Sequence, residues 1–78
     1  MTTRQVVQAF VRGTPAGSGN LSTDGTALYS YGVPVVRKTG PRTAVATATR
    51  YSVTTSKHRN AGASALDAAG YKVTEGEV

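Results

Sequence analysis

The 78-residue chain contains no cysteine and no tryptophan. Without thiols it can form no disulfide, no thiolate metal site and no cysteine nucleophile. Large aliphatic side chains are scarce too: ten Val, three Leu, one Phe and no Ile, against eleven Ala. A core of this kind contributes on the order of 3–5 kcal/mol in so short a chain. A homo-oligomer or a bound partner is therefore expected to add to it. Acids number four (Asp24, Asp67, Glu75 and Glu77) and His58 is the one imidazole. Paired catalytic carboxylates or a carboxylate metal cage have almost nothing to be built from. The expectation is a protein that is not an enzyme and that has no cofactor and no metal. No apolar run approaches the roughly 20 residues that span a bilayer. The start, MTTRQVVQAF, lacks the apolar stretch of a secretory signal. Membrane association is thus not expected, and a cytoplasmic protein is.

The charge that is present lies unevenly. Residues 1–60 hold eight Lys and Arg and a single acid, Asp24, whereas residues 61–78 hold Lys72 against three acids. A basic body with an acidic tail favours an anionic partner such as nucleic acid. The plainer reading is ordinary solubilising charge.

Along the chain, Val6, Val7, Phe10 and Val11 fall on one helical face, predicting a short helix over residues 3–12. Thr2 or Thr3 can cap its start and Gly13 its end. Residues 13–20, GTPAGSGN, read as a loop. Leu21–Thr23 and Thr26–Ser30 read as strands joined by a two-residue Asp24-Gly25 hairpin turn. Tyr31-Gly32 then punctuates, Val33–Lys38 forms a third strand, and Thr39–Arg42 turns again. Pro34 argues for a strand start or a sheet edge. Residues 43–49 alternate between Thr or Val on one face and Ala on the other, so a helix can approach the Ala face closely. Residues 54–69 read as the main helix, capped by Ser52 or Thr54 and ended by Gly70. Residues 71–74 read as a short last strand. The expected fold is α+β: a short N-terminal helix, a small antiparallel meander of 3–4 strands, an Ala-rich helix on one face and a short final strand. Residues 1–78 are read as a single domain, with 1–2 and 75–78 frayed.

Two constellations could carry function. Segment 50–60, RYSVTTSKHRN, places Thr54, Thr55, Ser56, Lys57, His58 and Arg59 at the start of the main helix, with Arg50 just before it. Cations there oppose the helix dipole, at a cost of a few tenths of a kcal/mol each. Free amides, hydroxyls and cations together make an anion pocket. The alternative is that the hydroxyls only cap while Lys57 and Arg59 lay their stems along the sheet. His58, near the centre of the helix's apolar face, reads as packed or capping; a general-base role would need a cleft and a carboxylate nearby to orient it. The Thr54-x-x-Lys57 spacing of a hydroxyl–lysine pair is one weak match. The second constellation is Arg37, Lys38 and Arg42 around the TGPR turn, a hairpin tip able to reach phosphates or, equally, an edge protected by charge. Tyr29, Tyr31, Tyr51 and Tyr71 flank these strands. They can stack on bases, although at least two are expected in the core, for want of other large side chains.

The stretches GNLSTDGTALYSYGVPVV (19–36) and RYSVTTSKHRN (50–60) resemble a family of small uncharacterised proteins carried by bacteriophages and plasmids, with LYSYGTPIA-like and YSVTTSKHQN-like motifs. Val33 here stands where that family has Thr, and Arg59 where it has Gln. The resemblance implies a mobile-element origin and an N-terminal helix, small antiparallel sheet and following helix; it implies no activity. The expected function is that of a small phage accessory protein that binds nucleic acid, chiefly through phosphates. The alternative is a host-directed inhibitor that binds a bacterial protein, through a surface such as the Tyr29–Val36 hairpin.

Overall fold

Helix α1 (Thr3–Arg12) starts in a capping box: the Gln5 amide donates to Thr2 Oγ1 at 3.2 Å and the Thr2 amide to Gln5 Oε1 at 2.8 Å. Gly13, at φ +82°, ends it in the left-handed conformation. Its apolar stripe buries Val6, Val7, Ala9 and Phe10. These coordinates, a computed structural model, describe residues 2–49 and 52–78.

Five strands follow as a meander: β1 (Ala16–Ser18), β2 (Leu21–Thr23), β3 (Ala27–Ser30), β4 (Val33–Gly40) and β5 (Thr43–Thr47). Each pairs antiparallel with the next. Helix α2 (Val53–Ala68) then crosses over, and β6 (Lys72–Gly76) adds to β5 in parallel, completing a six-stranded sheet in sequential order. The class is α+β, as the sequence predicts, but the sheet is larger than the expected meander. Part of the 13–20 loop pairs as β1, because the Gly19-Asn20 turn returns it onto β2. Glu75 and Gly76 are not frayed: pairing with Ala46 and Thr47 holds them.

The turns differ from expectation in an instructive way. Asp24-Gly25 is not a two-residue hairpin, since Thr23 pairs with Leu28. The Asp24 carboxylate accepts from the amides of both Thr26 and Ala27 at 2.9 Å and widens the turn. The tight hairpin is Tyr31-Gly32, between paired Ser30 and Val33, with φ of +54° and +78°. Positive φ at both central residues is what a type I′ turn requires. Pro34 sits at the second residue of a central strand, where the register shifts.

Both helices lie on one face of the sheet and touch each other. Leu21, Leu28, Val36, Ala44 and Ala46 meet Val6, Phe10 and Leu66 there in one apolar core. Gly62 lets α2 settle on the sheet: a Cβ at this position would come within 2.6 Å of Leu28 and 3.3 Å of Val36. Tyr71 joins the core edge, Tyr31 is 55% exposed, and Tyr29 is half-buried. Tyr51 lies outside the described residues. No helix is long and apolar enough to cross a membrane.

Candidate anion-binding site at the start of helix α2

Ser52 caps α2 by accepting from the Thr55 amide at 3.1 Å. Ahead of it, β5 ends at Thr47; beside it, the parallel strand β6 ends at Gly76. In a strand–helix–strand crossover the carboxyl ends of the two parallel strands and the amino end of the helix converge, as they do at the ligand crevice of open α/β sheets. A hollow of about 530 Å³ opens at this convergence. It is lined by Thr47, Ala48 and Thr49 from the β5 end, Ser52, Val53, Ser56, Lys57, Arg59 and Asn60 from α2, and Glu75 from β6.

The two cations of the α2 start therefore share one hollow. Their circumstances differ. Arg59 is half-buried and engaged: its Nε donates to the Thr47 carbonyl at 2.8 Å, one terminal nitrogen to Asn60 Oδ1 at 2.9 Å, and the other pairs with Glu75 at 3.0 Å. It ties α2 to both strands of the crossover. Lys57 is exposed and has no side-chain hydrogen bond or ion pair among the described residues.

The neighbouring residues divide between surface and interior. Thr54 is exposed and Ser56 lines the hollow. Thr55 is buried and receives hydrogen bonds from Ser52 Oγ at 3.1 Å and Ser30 Oγ at 3.3 Å. His58 Nδ1 lies 2.8 Å from Ser30 Oγ, so its ring is held against β3 and does not line the hollow. That matches the packed reading of this imidazole. Arg50 lies outside the described residues.

The hairpin cations are not brought together. Arg37 and Lys38 are consecutive strand residues and so point to opposite faces of the sheet. Lys38 reaches under the helices: its Nζ donates to the carbonyls of Phe10 at 2.6 Å, Val11 at 3.2 Å and Gly25 at 3.2 Å, and lies 5.2 Å from the Phe10 ring centre. Burial pulls its pKa below the usual 10.5, while three carbonyl acceptors hold the charged form. Arg42 donates to the Ala69 carbonyl at 3.0 Å, at the far end of α2. A 16-residue helix is about 24 Å long, so Arg42 stands well away from the hollow. Each of these two cations donates to carbonyls at a helix C-terminus, where intrahelical partners run out, although the Phe10 carbonyl also accepts from the Gly13 amide at 3.1 Å. Arg37 alone of the three makes no such bond among the described residues.

Sequence reasoning missed Thr47, Ala48, Thr49, Val53, Asn60 and Glu75 as lining residues, and named Ser52 only as a cap. The signal available was the order of a strand at 43–49, a helix at 54–69 and a strand at 71–74, which is the spacing of a crossover. Among the described residues no group of His, Asp or Glu could hold a metal ion. The matching family model spans residues 2–75, and the chain belongs to that family, a family of unknown function (DUF8033). No curated protein and no solved structure matches the chain.

Proposed function

We propose that this protein binds nucleic acid mainly through phosphate contacts, as a small accessory protein of the phage kind its motifs resemble. The observation that carries the reading is the hollow at the start of α2, where Lys57 and Arg59 stand together with the Ser52 and Ser56 hydroxyls. An anion there meets the positive pole of the helix and a cation that no partner among the described residues neutralises. Arg59 contributes less than Lys57, because Glu75 already balances it. The reading is tested by fluorescence anisotropy of labelled DNA and RNA oligonucleotides across a salt series. Affinity is expected to fall steeply with salt, with a slope of about −0.7 to −0.9 for each phosphate neutralised. Absence of binding to any oligonucleotide at low salt removes the reading.

One observation favours the second reading, a host-directed inhibitor that binds a bacterial protein. Tyr31 is 55% exposed at φ +54°, and Val53 is 74% exposed. A non-glycine residue held at positive φ costs about 1–2 kcal/mol, which an interface can repay. The Ser30–Thr55 contact places the Tyr31 turn beside the first turn of α2, so both apolar side chains lie at one end of the molecule. A pull-down from bacterial lysate that persists after nuclease treatment and is lost with Tyr31→Ser selects this reading over the first.

A further inference from the structure

Three cations in the described structure are half-buried: Arg37, Lys38 and Arg59. Taking a charge partly out of water is unfavourable unless something inside the protein, or a ligand, replaces the water. Lys38 has three carbonyls and Arg59 has a carbonyl, an amide oxygen and a carboxylate. Arg37 has no side-chain hydrogen bond and no ion pair among the described residues. It stands on the face of the sheet that carries no helix, in a register line of Ala27, Arg37, Val45 and Thr74 across four strands. The adjacent line holds Ser22, Tyr29 and Pro34, and another holds Thr43 and Lys72. No Asp or Glu occupies this face in any strand; Glu75 alternates to the helix side with Ala46. Asp24 stands at the rim, where it accepts from the Tyr29 hydroxyl at 3.4 Å and from two backbone amides.

We propose that this uncovered sheet face is a platform for single-stranded nucleic acid, with Tyr29 taking a base and Arg37 and Lys72 taking phosphates. The inference rests on the nucleic-acid reading above and names the form of nucleic acid. Dimensions select the single strand. The major groove of a duplex is about 12 Å wide and admits a helix or a two-stranded ribbon. Six strands at about 4.8 Å spacing make a face about 24 Å across, too broad to enter it. A single strand can lie flat on such a face, with its bases turned to the protein, and a tyrosine ring accepts any base. The Thr43, Thr74 and Ser22 hydroxyls supply further donors to the backbone.

The test compares an unlabelled protein against fluorescein-labelled oligo-dT and a DNA duplex of equal length, with circular dichroism to establish that each variant is folded. Single strands are expected to bind more tightly than the duplex. Tyr29→Ala is expected to weaken single-strand binding about ten-fold or more, and Tyr29→Phe to retain it. Arg37→Gln removes the charge and keeps a polar side chain, and is expected to lower the salt slope by about 0.7. If Tyr29→Ala and Arg37→Gln leave affinity unchanged while Lys57→Gln weakens it, the platform is overturned and the hollow stands. If the unaltered protein binds neither oligonucleotide at low salt, both readings fall. A dimer in sedimentation velocity that Arg37→Glu dissociates would show the face covered by a second copy, and would also overturn the platform.

Discussion

Residues 37–42 and residues 57–59 each concentrate positive charge, and on paper either could meet a phosphate. In the folded chain they do opposite things. The strand stretch sends Lys38 to the end of α1 and Arg42 to the end of α2, where carbonyls are waiting for donors. The helix stretch sits at an amino end, where the backbone presents amides, and amides cannot be satisfied by a cation. Arg59 escapes by reaching across to Thr47 and Glu75; Lys57 does not escape. A cation beside a helix C-terminus is thus accounted for by the fold. One beside an N-terminus is left over, and the left-over charge is where a ligand is sought.

The largest expected effect falls on the strand side. Lys38→Met keeps most of the apolar stem and removes the donor to three carbonyls. The expected loss is about 2–3 kcal/mol, the cost of leaving polar groups unpaired in a partly buried site. Urea denaturation measures it, and oligonucleotide affinity at low salt is expected to stay within two-fold or so of the unaltered protein. A Lys38→Met protein that keeps its stability but loses affinity would break the division drawn here. Arg42→Ala should cost less, about 0.5–1 kcal/mol, because its partner Ala69 carbonyl lies at an exposed helix end.

This division was only partly legible before folding. Local signals decide local structure, so a cap at Thr2 or Thr3, the Gly13 stop and an Ala-faced strand over residues 43–49, of which Thr43–Thr47 forms, could be read directly. The alternation of Ala27 and Tyr29 against Leu28 and Ser30 also holds, because period-two patterning survives any tertiary arrangement. The destination of Lys38 could not be read in the same way. Its acceptors lie 27 and 28 residues away in α1 and 13 away in a turn, and nothing in the TGPR segment points to them. The full length of β6 was likewise hidden, since EGEV looks like a tail until β5 offers it an edge. The hollow inherits that gap: of its α2 lining, Ser56, Lys57 and Arg59 could be named from the sequence, while Val53, Asn60 and the strand residues could not.

A smaller effect sharpens the strand side through pH. Asp24 shapes the turn whose Gly25 carbonyl accepts from Lys38. The Ala27 amide, then the Thr26 amide, holds the Asp24 carboxylate's pKa below its ordinary 3.8. A carboxyl group with a lowered folded pKa contributes stability that is fully present above the unfolded value and is lost as pH falls through the folded one. Melting temperature is therefore expected to decline below about pH 3.8, in part because of this group. Asp24→Asn keeps an acceptor for the two amides and cannot ionise, so its melting curve should be flatter across the same interval. An identical pH profile in the variant would show that the turn is not held by the charge.

The smallest change in stability is expected at Lys57, and its sign is what matters. Removing a cation from the first turns of a helix relieves an unfavourable interaction with the dipole, so Lys57→Gln should stabilise by a few tenths of a kcal/mol or leave stability unaltered. Lys38→Met moves stability the other way and by several times as much. Affinity should show the reverse ranking: Lys57→Gln lowers the salt slope for oligonucleotide binding by about 0.7–0.9, and Lys38→Met leaves it alone. The paired measurement, denaturation midpoint against salt slope, separates a cation the fold needs from one it merely tolerates. If Lys57→Gln instead destabilises the protein and leaves the slope intact, Lys57 belongs with Lys38, and the hollow at the start of α2 loses its claim on a phosphate.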